Sequence, residues 1–157
     1  MNHLTGRRKL TAVAASLAIV FAATGCGSSK KSSTGSSAAP AITKAEFLAK
    51  GNAICQQGNV ARTKAGNALG NNPSRKQILD YVTKSFIPGI QSTIDQLRAL
   101  GAPAGDQAKV TGMLNLAQAD LDKLKAKPIL LANGPGLFHN FAVRAHAYGL
   151  TQCAKNA

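Results

Sequence analysis

Residues 43–70, TKAEFLAKGNAICQQGNVARTKAGNALG, decide the fold. Thr43 and Glu46 stand three apart at the head of the stretch, a capping box in which each side chain satisfies an otherwise unpaired backbone N–H. Behind it Phe47, Ile54, Ala61 and Ala68 recur at seven-residue intervals, beside Leu48 and Cys55. That spacing keeps the apolar groups on one face of a 3.6-residue helix and on no single face of a strand. The stretch predicts a long amphipathic helix that frays near Gly70 and lays one face on a core.

The same period continues toward the C terminus. Asn72 and Pro73 suit the cap and first turn of a second helix, whose stripe is Ile78, Val82, Phe86, Ile87, Ile90, Ile94 and Leu97. Pro88 falls inside this stripe and removes a helical hydrogen bond, but the stripe resumes in phase, which predicts a kink over 84–88 and not a loop. Gly101 and Pro103 end the helix. A third helix is expected over 106–125, with Val110, Leu114, Ala117, Leu121 and Leu124 on one face. Lys123, Lys125 and Lys127 suit its negative end, and Pro128 stops it. Residues 128–136 carry two prolines and two glycines around a short apolar run, which is loop chemistry for the segment 129–136. A fourth helix takes 137–155, with Phe138, Phe141, Ala145, Tyr148 and Cys153 facing inward. No run of four or more residues alternates in the manner of a strand. The expected fold is all-α, an antiparallel four-helix bundle over 43–157 with a kinked second helix.

Toward the N terminus the composition changes. Residues 27–37 are almost wholly Gly, Ser, Thr and Lys, too polar and small to bury a core, so residues 26–42 read as a flexible tether. Lys30 and Lys31 within it are placed to touch anionic head groups. Before the tether, Arg7, Arg8 and Lys9 precede an apolar run over 10–23, the two parts of an export signal. Fourteen residues at about 1.5 Å each make roughly 21 Å, short of the ~30 Å hydrocarbon core, so a cleaved segment over 1–25 fits better than a spanning helix. The chain's 157 residues, 45% apolar and 16% charged, then leave one folded domain and no room for a second catalytic one.

After the apolar run stand Ala23, Thr24, Gly25 and Cys26. Here the chain resembles a bacterial lipoprotein precursor, with Ala23 where Leu is more usual. The resemblance covers residues 1 to about 40 and implies that Cys26 becomes the first mature residue and carries a diacylglyceryl group, with palmitate among the expected acyl chains. It also implies a location at the outer face of the cytoplasmic membrane, the membrane lipid being the first partner. Arg7 and Arg8 raise the alternative of twin-arginine export, but Leu10 is the only apolar residue close behind them, so the general secretory route fits better.

With Cys26 lipidated, Cys55 and Cys153 are the two cysteines left in an exported, oxidising setting, and they are expected to form a disulfide. It closes a loop of roughly 100 residues, which the chain-entropy model values at about 4 kcal/mol. Bridged α-carbons stand about 4.4–6.8 Å apart, whereas packed helix axes are usually about 8–10 Å apart. Small residues near each Cys would allow that approach, and Gly51, Gly58, Ala142, Ala145 and Gly149 are in place. Residues 53–55 (AIC) and 148–153 (YGLTQC) are similar to segments of small, uncharacterised exported helical proteins of high-GC Gram-positive bacteria. That resemblance implies the bundle and the bridge, and no activity.

Little catalytic chemistry is legible. His139 and His146 lie about 10 Å apart along a helix, too far for one metal ion, so no metal site is expected. The six acids include a single Glu, which excludes a ferritin-like di-iron bundle. Glu46 and Asp106 read as helix-start residues, and Asp120 and Asp122 point to different sides. No phosphate loop, serine elbow or Cys-x-x-Cys occurs. The expectation is a non-enzymatic, cofactor-free binding or structural module of the envelope; the alternative is an accessory enzyme or hydrolase using His139, Arg144 and His146. Removing residues 1–25 takes away three of 19 bases and no acid, leaving 16 bases against six acids, or +10. An exported domain so basic is drawn to anionic lipids, acidic wall polymers or an acidic protein. Export and the lack of interleaved aromatics argue against nucleic acid.

Overall fold

The computed structural model describes residues 41–133 and 136–155. The signal segment, Cys26 and most of the tether lie outside them. The described residues are helical in every regular element and contain no strand.

Helix α1 runs Lys44–Asn67 behind the expected capping box: the Thr43 hydroxyl accepts from the Glu46 N–H at 3.2 Å, and the Glu46 carboxylate accepts from the Thr43 N–H at 3.0 Å. Its buried residues are Phe47, Gly51 and Cys55, a four-residue stride along one face. Ala61 and Ala68, expected on the core face, are exposed. The second half of α1 turns Gly58, Asn59 and Arg62 inward instead, because the seven-residue stride drifts around a straight 3.6-residue helix.

Helix α2 (Arg75–Tyr81) starts two residues later than the Asn–Pro pair suggests. Ser74 is the cap, paired reciprocally with Gln77 in a second capping box. A π-helical turn, Val82–Phe86, follows and leads directly into α3 (Ile87–Ala99), all three in right-handed helical conformation at their junctions. The Ile87 N–H donates to the Val82 carbonyl, five residues back. Pro88 explains the wider turn. In a regular α-helix its ring would press on the carbonyl of Lys84, and the expanded turn relieves that contact without breaking the helix.

Helix α4 (Gln107–Ala126) buries Val110, Met113, Leu114, Ala117, Leu121 and Leu124. A 3-10 helix, Pro128–Asn133, occupies part of the segment expected as loop. Helix α5 (His139–Tyr148) and the short α6 (Thr151–Ala154) replace the single fourth helix expected over 137–155. Gly149 separates them at φ 105°, a left-handed conformation open to glycine. Its N–H and that of Leu150 both donate to the Ala145 carbonyl, closing α5. The core joins these elements around Phe47, Val82, Leu97, Leu121, Leu124, Ala145 and Leu150, all at most 1% exposed. Helix α1 packs on α3 and α6, and α4 packs on α3 and α5.

Candidate functional site

Cys55 of α1 and Cys153 of α6 are joined in a disulfide with their α-carbons 4.9 Å apart, across a sequence separation of 98. Small residues do permit this approach, though not all in the expected way. A β-carbon at Gly51 would stand 2.7 Å from Leu150 and 3.3 Å from Leu97, so this glycine admits the chain just before α6. Gly149 fits against Leu48 in the same manner. Gly58 faces Thr93 of α3 and the side chain of Arg62, not the C-terminal helices.

Two asparagines complete the junction. Asn52 donates to the Gly149 carbonyl at 3.0 Å and accepts from the Gln152 N–H at 2.9 Å, so one amide holds both sides of the corner between α5 and α6. Asn59 donates to the Gln152 carbonyl at 2.8 Å. These groups satisfy backbone atoms that the break at Gly149 leaves without helical partners. Reading the sequence for hydrophobic stripes passes over them; the available signal is that both asparagines flank Cys55 at helical spacing, three before and four after.

Beside the disulfide lies a cleft of about 480 Å³ including its open side, of which about 40 Å³ can hold the centre of a water-sized group. Phe86, Ile90, Ile94, Phe138 and Phe141 line it with the two sulfur-bearing residues, and Asn59, Arg62, Thr93 and Lys155 supply its polar lining. Arg62 is half-buried. Its Nη2 donates to the Asn59 side-chain oxygen, and its guanidinium sits 5.9 Å from the centre of the Phe86 ring. Nη1 is shut from solvent and has no acceptor among the described residues. Burial pulls the guanidinium pKa down from its ordinary value. On the other side of the same residue, the Tyr81 hydroxyl donates to the Arg62 carbonyl at 3.2 Å, and burial raises the phenol's pKa.

The six side-chain acids of the sequence are all engaged elsewhere. Glu46 closes the first capping box, and Asp80 pairs with Lys76 and Lys84. Asp95 lies 3.8 Å from Arg98, Asp120 binds Lys123 at 2.8 Å, and Asp122 binds Lys125 at 3.1 Å. Asp106 stands at the N-cap position of α4 as expected, but its side chain accepts from no backbone N–H of that helix. It accepts from the Tyr148 hydroxyl at 2.9 Å and pairs with Lys44 at 3.4 Å and Lys109 at 3.3 Å. The Tyr148 hydrogen bond holds the Asp106 carboxyl below the usual range. Burial, reinforced by Asp106, pushes the Tyr148 phenol up to about 12.

His139, Arg144 and His146 are exposed. Arg144 lines a shallow pocket with Lys44, Lys109 and Tyr148, a basic patch that neither histidine enters. Among the described residues, no three side chains of the His, Cys, Asp and Glu types come together as a metal site, and no helix is long and apolar enough to cross a membrane. No family model, curated protein or solved structure matches this chain.

Proposed function

We propose that the chain is a membrane-anchored extracytoplasmic lipoprotein, and that its helical domain acts in the cell envelope as a non-catalytic binding or structural module. Cleavage before Cys26 and diacylglyceryl transfer to its thiol provide the anchor, and residues 26–42 hold the domain away from the bilayer. The observation that carries the reading is the division of the three cysteines: Cys55 and Cys153 are bonded to each other, and Cys26 follows a basic, then apolar, then small-residue leader. A bridge between residues 98 apart suits an oxidising compartment outside the cytoplasm.

The same proposal covers the arrangement of the domain. The spans α1, α2 to α3, α4 and α5 to α6 act as the four members of an antiparallel bundle, the second bent at its π-helical turn. Short connections favour antiparallel neighbours, and the junction of α3 with α4 takes seven residues, 100–106.

Metabolic labelling with an alkyne-tagged fatty acid, followed by intact mass of the exported protein, tests the anchor. The expected result is a chain beginning at Cys26 with added acyl mass, and a Cys26→Ser variant that takes up no label. A mature chain that starts at Cys26 without acyl mass would overturn the reading.

A further inference from the structure

We propose that the cleft beside the disulfide is a binding site for a monocarboxylate with a short apolar tail, the carboxylate meeting Arg62 and the tail lying against Ile90, Phe138 and Phe141. The inference deepens the reading of the domain as a binding module and does not depend on the anchor.

Arg62 carries a full charge at a half-buried position, and one of its nitrogens is closed to solvent with nothing to donate to among the described residues. A buried donor left unpaired costs roughly 1–3 kcal/mol, and more for a charged group. The chain has no side-chain carboxylate to spare, because each of the six is held by another partner. The neighbours Asn59 and Thr93 are neutral, and the second cation on the cleft, Lys155, adds to the unbalanced charge. A trapped water would leave the charge alone, whereas an anion in the cleft offsets it and, once the side chain turns Nη1 toward the cleft, accepts from that N–H as well.

The rest of the lining selects the kind of anion. Its other residues are mainly aromatic and aliphatic, so a fully hydrated ion such as inorganic phosphate gains nothing from them. A ligand with one charged end and an apolar body uses both surfaces, the usual design of a small-molecule site. A guanidinium also matches a carboxylate in two parallel hydrogen bonds, which an ammonium does not. The space limits the tail. Room for the centre of a water-sized group is about 40 Å³, enough for a few such groups, with the open side taking the remainder.

Hexanoate and 1-hexanol, which share a tail and differ in charge, are the probes. Each is titrated into the purified full chain while the arginine side-chain N–H and isoleucine methyl resonances are followed by NMR. Hexanoate is expected to bind saturably, to move the Arg62 and Ile90 signals, and to bind at least about tenfold more tightly than hexanol. Arg62→Met, similar in length and uncharged, is expected to reduce hexanoate to the affinity of hexanol, with a melting curve confirming that the variant is folded. Equal affinity of the two probes for the native chain overturns the proposal, as does the absence of saturation. So do shifts confined to Arg144 and the lysines around Asp106. The comparison of probes on the unaltered chain decides the matter even where Arg62→Met does not fold. Failure here leaves acylation of Cys26 untouched, and a Cys26 that carries no lipid leaves this binding untouched.

Discussion

At the scale of single residues, Asn52 does more for the fold than its exposed-looking sequence context suggests. Its amide holds a donor and an acceptor of the corner at Gly149, and Asn52→Leu strands both in a part-buried junction. Each orphaned group is worth about 1–3 kcal/mol, so the variant is expected to lose roughly 2–4 kcal/mol, read as a lower midpoint in urea at unchanged slope. Tyr148 and Asp106 make a pH-dependent pair. The Tyr148 phenol lies above its ordinary value, so its share of stability is present below pH 10 and is lost as pH rises toward 12. The Asp106 carboxyl lies below its ordinary value, so its share is present above about pH 4 and is lost as pH falls through the lowered value. Asp106→Asn is expected to weaken both limbs of a melting-temperature profile against pH. Ultraviolet titration of phenolate should show Tyr148 ionising at lower pH in that variant, and an unmoved tyrosine titration would sink the coupling.

At the scale of elements, the bridge and the π-helical turn have different origins. The disulfide ties α1 to α6 over a separation of 98 residues, and α6 itself is four residues long, too short to hold its place by helical propensity. Cys153→Ser is therefore expected to lower stability by about 4 kcal/mol and to expose Gly149 through Ala154 to hydrogen exchange ahead of α4. A variant that melts and exchanges like the parent would show that α6 is held by Asn52 and Asn59 alone. The passage from α2 to α3 was partly legible: the in-phase stripe around Pro88 implied a continuous helix, while the π-helical turn forms where the proline ring would otherwise meet the carbonyl four residues back. The break at Gly149 was less legible, because Tyr148, Gly149 and Leu150 sit in an otherwise regular apolar pattern. A glycine inside such a pattern is either a tolerated residue or a corner, and only the contact with Leu48 and the clasp of Asn52 select the corner.

At the scale of the whole molecule, net charge is the dominant property. The sequence carries +13, or +10 without residues 1–25, and the acids it has are spent on the capping box at Thr43, on local pairs with a lysine or arginine three or four residues away, and on the Asp106 cluster. Exposed pairs of that kind add little stability and leave the long-range field positive. Residues 26–157 produced without the leader, with Cys26→Ser, are expected to co-sediment with vesicles containing anionic lipid at low salt. They should release as ionic strength passes about 0.15 M, where the screening length is about 8 Å. Binding to neutral vesicles, or binding indifferent to salt, would contradict a charge-driven surface.

Local order was set by the sequence alone: the capping box at Thr43, the stripes of α3 and α4, the helix stops at Gly101 and Pro128, and the basic excess follow from residue type and spacing over a few turns. These depend on interactions between near neighbours, which a one-dimensional reading contains. The tertiary structure decided what depends on distant residues meeting. It turned Asn59 and Arg62 inward where Ala61 and Ala68 were expected, split the last helix at Gly149, and drew Asp106 to Tyr148. It also set Arg62, which lies seven residues beyond Cys55 on the same face of α1, against an apolar cleft with no counter-ion among the described residues. A charged group gains its meaning from what shares its burial, and that is known only when the helices have packed.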